Sequence, residues 1–252
     1  MRGLVLGALA ILLAFPAVAG AEQLAPQSLT LVDAARARDV PVQLYFPVAG
    51  LECVRQRSCP VALLSPGYGL PHTGYSFLAS TLAGRGFLVV AVQHDLPSDP
   101  PLTGEGDLVK VRTPAWQRGA DNLRFVKAQL SSTYPHYNWS ALTLVGHSNG
   151  GDISAFLLAQ TPQFAKQLIT LDHRRVPLPR DPSMPVLSVR GSDLEADPGV
   201  LPPQQEPASS SICVVKLAGS RHNDMHDGGP SELKGKITSV VARFLQGSSC
   251  GA

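Results

Sequence analysis

Leu142-Thr143-Leu144-Val145-Gly146-His147-Ser148-Asn149-Gly150-Gly151 is the stretch on which the reading of this chain turns. Its first four residues are apolar or β-branched and read as a strand, while Asp152 to Gln160 has the apolar spacing of a helix. A Gly-x-Ser-x-Gly between a strand and a helix is the form of a nucleophile elbow, a turn so tight that its serine is held in strained backbone with the hydroxyl exposed. Glycines two residues on either side are required because larger side chains collide across the turn. The five-residue pattern recurs by chance in many chains; the flanking strand and helix give it weight.

The segments on either side repeat the alternation. Leu29 to Val32 and Pro41 to Phe46 read as an opening hairpin-like pair, and Val61 to Leu64 is a strand running into the glycine-rich loop Ser65-Pro66-Gly67-Tyr68-Gly69. Tyr75 to Gly84 has helical spacing, and Phe87 to Val92 is the continuous apolar run of a strand covered on both faces. A Pro-rich loop, Leu96 to Pro101, and an irregular stretch lead to a helix from about Ala115 to Leu130. After the elbow come strands at Gln167 to Leu171, Val186 to Val189 and Ile212 to Leu217, then a helix from Ser231 to Leu245. Strands alternating with helices predict an α/β fold with a mainly parallel central sheet and helices on both faces. No repeat, low-complexity tract or linker divides the chain, and little room exists for a large cap domain.

Residues 1–21 have the form of a cleaved signal peptide: Met1-Arg2, the apolar run Leu4 to Phe15, and small residues at Ala17 to Ala21. That leaves residues 22–252 as one domain and predicts a secreted or periplasmic protein with no stable membrane anchor. The four cysteines then read as two disulfides, with Cys53–Cys59 and Cys213–Cys250 favoured. They contain no C-x-x-C pair and so give no zinc signature. The formal net charge of +2 is nearly balanced, and its densest basic spot, His173-Arg174-Arg175, is too small for a nucleic-acid footprint. Asn138-Trp139-Ser140 is a glycosylation sequon, given little weight for a leader that fits a bacterial envelope equally well.

A serine hydroxyl attacks a carbonyl only when a nearby base takes its proton. In a sheet of this kind the order along the chain is Ser, Asp, His. Ser148 is the candidate nucleophile. His222, in the loop Ala218 to Asp224 after the last strand, is the candidate base, with His226 its rival. Asp193, in the turn Arg190-Gly191-Ser192-Asp193 after its strand, is the favoured acid, ahead of Asp197 and Asp172. The backbone N–H groups of Asn149 and of Tyr68 are the candidate oxyanion donors. His222 and His226 are four apart, but Gly228-Gly229-Pro230 argues against a helix that would let them share a metal. Two further groups fall at strand ends where ligands bind: Leu171 to Pro177, and His94-Asp95. Their polar and basic residues pair either with an anionic part of a substrate or with one another.

With these motifs the chain resembles the α/β-hydrolase superfamily, and within it the branch of dienelactone hydrolases and platelet-activating-factor acetylhydrolases. The resemblance runs from about Val42 to Leu245. It is carried by Ser65 to Gly69, Gly146 to Gly151, Gly191-Ser192-Asp193 and Arg221 to Met225. It implies a serine hydrolase cleaving carboxylic esters through a Ser–Asp–His triad and an acyl-enzyme, with no cofactor or metal. The implied partner is a small-molecule ester rather than nucleic acid. The alternatives are a peptidase or amidase of the same fold, and a non-catalytic binding protein.

Overall fold

Strands covered on both faces must be apolar at nearly every position, and the middle of this chain obeys that demand. In a computed structural model that describes residues 24–48, 58–203 and 211–247, every residue of β4 (Leu88–Val92) and β7 (Val186–Arg190) is buried. In β3 (Cys59–Ser65) only Pro60 is even half-exposed. The first two strands, β1 (Gln27–Asp33) and β2 (Arg38–Tyr45), alternate instead, as expected for strands near a sheet edge.

The eight strands form one sheet in the order β1-β2-β4-β3-β5-β6-β7-β8, with β5 at Tyr137–His147, β6 at Gln167–Leu171 and β8 at Ile212–Lys216. β1 and β2 form the expected antiparallel pair, β2 runs antiparallel to β4, and every later pairing is parallel. Alternate side chains feed two cores. Val61 and Leu63 point into one, with Trp116, Leu123 and Val126 of α2 (Leu108–Thr133) and Ile153 and Leu157 of α3 (Asn149–Gln160). Ala62 and Leu64 point into the other, with Leu78 and Leu82 of α1 (Ser76–Ala83) and Ile237 and Val241 of α4 (Ser231–Leu245).

As the expected run of three strands implies, no α-helix among the described residues separates β6 from β7 or β7 from β8, and none of the described connections builds a separate cap. The structure differs from expectation at α2, which starts seven residues before the expected Ala115. Asp107 caps it by accepting from the Lys110 N–H at 3.2 Å, and Pro114 sits inside the helix. A proline normally marks a helix start because it lacks an N–H, and here it stands at the end of the second turn instead. Val109 and Val111 are exposed, so the added turns are not held by the core.

Residues 1–21 lie outside the described part, as do Cys53 and Cys250, one member of each favoured disulfide. No described helix is long and apolar enough to cross a membrane. In the sequon, the Asn138 side-chain carbonyl accepts from the Ser140 hydroxyl at 2.7 Å.

Candidate active site

Ser148 occupies the turn between β5 and α3 with φ 50° and ψ −121°, a conformation that a non-glycine residue adopts only when its surroundings impose it. Its N–H donates to the Leu171 carbonyl at 2.8 Å, tying the elbow to the neighbouring strand. The two glycines are sterically obligatory. A Cβ at Gly146 would lie 2.3 Å from the Gly150 carbonyl oxygen, and one at Gly150 would lie 2.3 Å from the Ser65 carbonyl oxygen.

The Ser148 hydroxyl is 2.9 Å from His222 Nε2. His222 sits in a 3-10 turn after β8, buried against its partners. Its Nδ1 donates to a carboxylate at 2.6 Å, and that carboxylate belongs to Asp172, not to the expected Asp193. Asp193 is exposed and accepts from the backbone N–H of His222 at 2.8 Å; it holds the histidine's loop and leaves the ring alone. Asp197 is paired with Arg175. The correction has a physical basis. β6 lies directly beside β5, with Leu171 opposite His147, so the residue after Leu171 emerges next to the elbow. Asp172 has φ 51°, a second left-handed turn that follows the strand end.

Asp172 is fully buried, and burial pushes its carboxyl up. The His222 N–H, the Arg190 guanidinium at 3.0 Å and the Gly191 N–H at 2.9 Å outweigh that and hold it below the ordinary range. Arg190 closes an apolar strand in a buried position and also donates to the His173 carbonyl. A cation in such a place requires an anion. A charged residue closing an otherwise buried strand is the signal by which the sequence reading, which favoured Asp193, could have looked for a buried acid instead.

The two expected oxyanion donors are the N–H groups of Asn149, next to the serine in the chain, and of Tyr68, in the loop after β3. Neither the Asn149 nor the Tyr68 N–H has an acceptor among the described residues, and both residues line the pocket that Ser148 opens into. A hydrogen-bonded chain links this region to the base. The Gly67 N–H donates to the Tyr75 hydroxyl at 2.9 Å, and Tyr75 lies 2.7 Å from His147 Nδ1. His147 Nε2 lies 3.0 Å from the His222 carbonyl oxygen, which can only accept. Burial, with the nearby His222, pushes His147 down to about 3, so its ring is neutral. Nε2 therefore carries the proton, and Nδ1 accepts from Tyr75. Nothing in the spacing of residues marks this role for Tyr75 and His147, nor for Trp116, whose indole N–H donates to the Asn149 side chain at 3.0 Å.

The pocket encloses about 390 Å³. Beside the residues already placed, its wall includes Leu70, Leu102, Arg112, Asn223 and His226. His226 lies on this wall away from the serine–histidine pair, and its Nδ1 accepts from the Gly228 N–H at 3.1 Å. Asp227 caps α1, accepting from the N–H groups of Ser76 and Phe77 at 2.8 and 3.0 Å. Among the described residues no group of three metal-ligating side chains converges. The basic segment after β6 is largely committed to the protein: His173 is buried and bonded to the Val176 carbonyl, and Arg175 is paired with Asp197. His94 is buried against the Ser65 hydroxyl at 2.9 Å, and Asp95 lies 4.0 Å from Arg118.

No family model and no curated protein sequence matches the chain. Solved structures do. A ferulic acid esterase from Streptomyces cinnamoneus superposes with a TM-score of 0.67 over 92% of this chain and 91% of its own, at 18% identity. Esterase 2 of Thermogutta terrifontis, phosphoramylated by tabun, gives 0.63 over 87% and 94% at 13% identity. XC6422 of Xanthomonas campestris, an α/β serine hydrolase without a lid, gives 0.58 over 87% and 94% at 18% identity. The fold is that of the α/β-hydrolases. In this α/β-hydrolase fold the carboxylate facing the histidine follows β6, and the strand after it, β7, supplies the cation that holds it.

Proposed function

We propose that the protein is a serine hydrolase that cleaves carboxylic esters of small or short-chain acyl groups, acting outside the cytoplasm after removal of residues 1–21. One observation carries this reading: Ser148 Oγ, His222 and Asp172 stand in a hydrogen-bonded line of 2.9 and 2.6 Å at the floor of an open pocket. Ser148 Oγ attacks the ester carbonyl carbon as its proton passes to His222 Nε2. The imidazolium is stabilised by Asp172, which also fixes the tautomer that leaves Nε2 free to accept. The developing oxyanion takes hydrogen bonds from the N–H groups of Asn149 and Tyr68. His222 then protonates the leaving alcohol oxygen. Water, deprotonated by His222, attacks the acyl-enzyme and releases the acid, and the proton returns to Ser148. None of these steps calls for a metal or an organic group.

The pocket volume of about 390 Å³ and the open site favour small esters over long acyl chains. The experiment is active-site titration of the mature protein with a fluorophosphonate probe, beside Ser148→Ala. Stoichiometric labelling of the wild type that is absent in the variant is the expected result. Folded protein that takes up no probe overturns the reading. A panel of 4-nitrophenyl esters and anilides then separates an esterase from an amidase.

A further inference from the structure

We propose that this site selects esters bearing a carboxylate, and that Arg112 receives it. The inference rests on the ester-hydrolase reading and specifies its substrate class. Arg112 lines the same pocket as Ser148 and His222, yet it has no carboxylate within ion-pair distance among the described residues. Among the described residues every other half-buried or buried arginine except Arg174 is matched: Arg36 to Asp33, Arg38 and Arg118 to Asp99, Arg124 to Asp121, Arg175 to Asp197, and Arg190 to Asp172. Arg174 is not on the pocket wall. No aspartate or glutamate contributes to the pocket wall. The wall therefore carries a cation and nothing of opposite sign.

Arg112 is also positioned. Its Nε donates to the Thr103 carbonyl at 3.1 Å, which leaves the two terminal nitrogens without a protein acceptor among the described residues. The loop holding Thr103 is fixed to the oxyanion side, since the Leu102 N–H donates to the Tyr68 hydroxyl at 3.0 Å. The backbone of Arg112 belongs to the turns of α2 that precede Pro114, where Val109 and Val111 are exposed. Core burial does not account for those turns; they bring Arg112 to the pocket. Arg175 and Arg174 add positive potential at Arg112, and Asp152 and Asp197 oppose it. A guanidinium with its terminal fork open binds a carboxylate through two parallel N–H···O bonds. The class this selects is the monoester of a dicarboxylic acid, or an ester whose alcohol carries an acid group.

Two substrate pairs test it and tell the two sides of the ester apart. Mono-4-nitrophenyl glutarate is set against 4-nitrophenyl hexanoate, and 4-acetoxybenzoate against its methyl ester. The wild type is expected to favour the charged member of at least one pair in kcat/KM. In Arg112→Gln the charged-to-neutral ratio of that pair is expected to fall by about 10- to 100-fold, mostly through KM. Arg112→Lys is expected to recover part of it, and added salt to erode the wild-type preference. If the wild type prefers the neutral member of both pairs, or Arg112→Gln leaves both ratios unmoved, the carboxylate subsite is wrong while the esterase stands. If none of the four esters is cleaved and no fluorophosphonate is taken up, the underlying reading fails and the subsite with it.

Discussion

At the scale of single residues, Asp172 and Asp193 bear on one histidine in different ways. Asp172 touches the ring and Asp193 the backbone N–H. Asp172→Asn is expected to lower kcat by on the order of 10³- to 10⁴-fold, because the ring loses both its tautomer lock and the partner of its cation. The same change leaves Arg190 buried without its anion, so a loss of about 3–5 kcal/mol in unfolding free energy should accompany it. Asp193→Ala removes one backbone hydrogen bond, expected to cost about 1 kcal/mol and less than about 10-fold in kcat. Steady-state kinetics with urea melts of both variants checks this assignment; a larger kcat loss in Asp193→Ala would reverse it. Tyr75→Phe strips the Gly67 N–H of its acceptor and His147 Nδ1 of its donor. Leaving those groups unpaired is expected to cost about 1–3 kcal/mol, read from the same melts.

At the scale of elements, the elbow depends on the spaces its glycines leave. Alanine at Gly146 or Gly150 would put a Cβ 2.3 Å from a backbone oxygen, which no side-chain rotation relieves. Either variant is expected to lose at least about 3 kcal/mol or to be recovered only as aggregate. Alanine at Gly104, where a Cβ meets nothing within 4 Å, is expected to stay within about 0.5 kcal/mol of wild type. Parallel thermal melts make the comparison. The strands were legible for a simple reason: β4 is apolar at every position and β7 at all but Ser188 and Arg190, as burial on two faces favours. The start of α2 was not, because Pro114 reads as a helix beginning and the turns before it face solvent with exposed valines. Propensity and periodicity carry no information about a helix segment held by one cap and by a side chain bonded to the loop before it.

At the scale of the whole molecule, the serine and the base were legible because each follows a strand along the chain, while the acid was not. Asp172 and Asp193 both follow strands and both satisfy the order Ser, Asp, His; only the adjacency of β6 to β5 and the ion pair with Arg190 separate them. Another buried carboxylate sets how stability responds to pH. Asp152, on the first turn of α3, is buried and accepts from the N–H groups of Arg175 and Val176 at 2.8 and 3.0 Å, pinning the loop after β6. Burial pushes its carboxyl up to about 6, against the pull of those N–H groups and the nearby Arg175 cation. A carboxyl raised in the folded state binds its proton more tightly there than in the unfolded chain. Its contribution to stability is therefore complete below about pH 4 and is lost as pH rises towards and through about 6. The loss is on the order of 3 kcal/mol across that window. Asp152→Asn keeps an oxygen for both N–H groups and has no proton to lose. Relative to the variant, the wild type is expected to weaken steadily between pH 4 and 6 and to run parallel to it above about 7. Urea unfolding of both proteins at four pH values measures the difference, in which titrations common to the two cancel. Curves that stay parallel from pH 4 to 7 would mean that Asp152 is ionised throughout, with its two N–H donors and the surrounding arginines outweighing its burial.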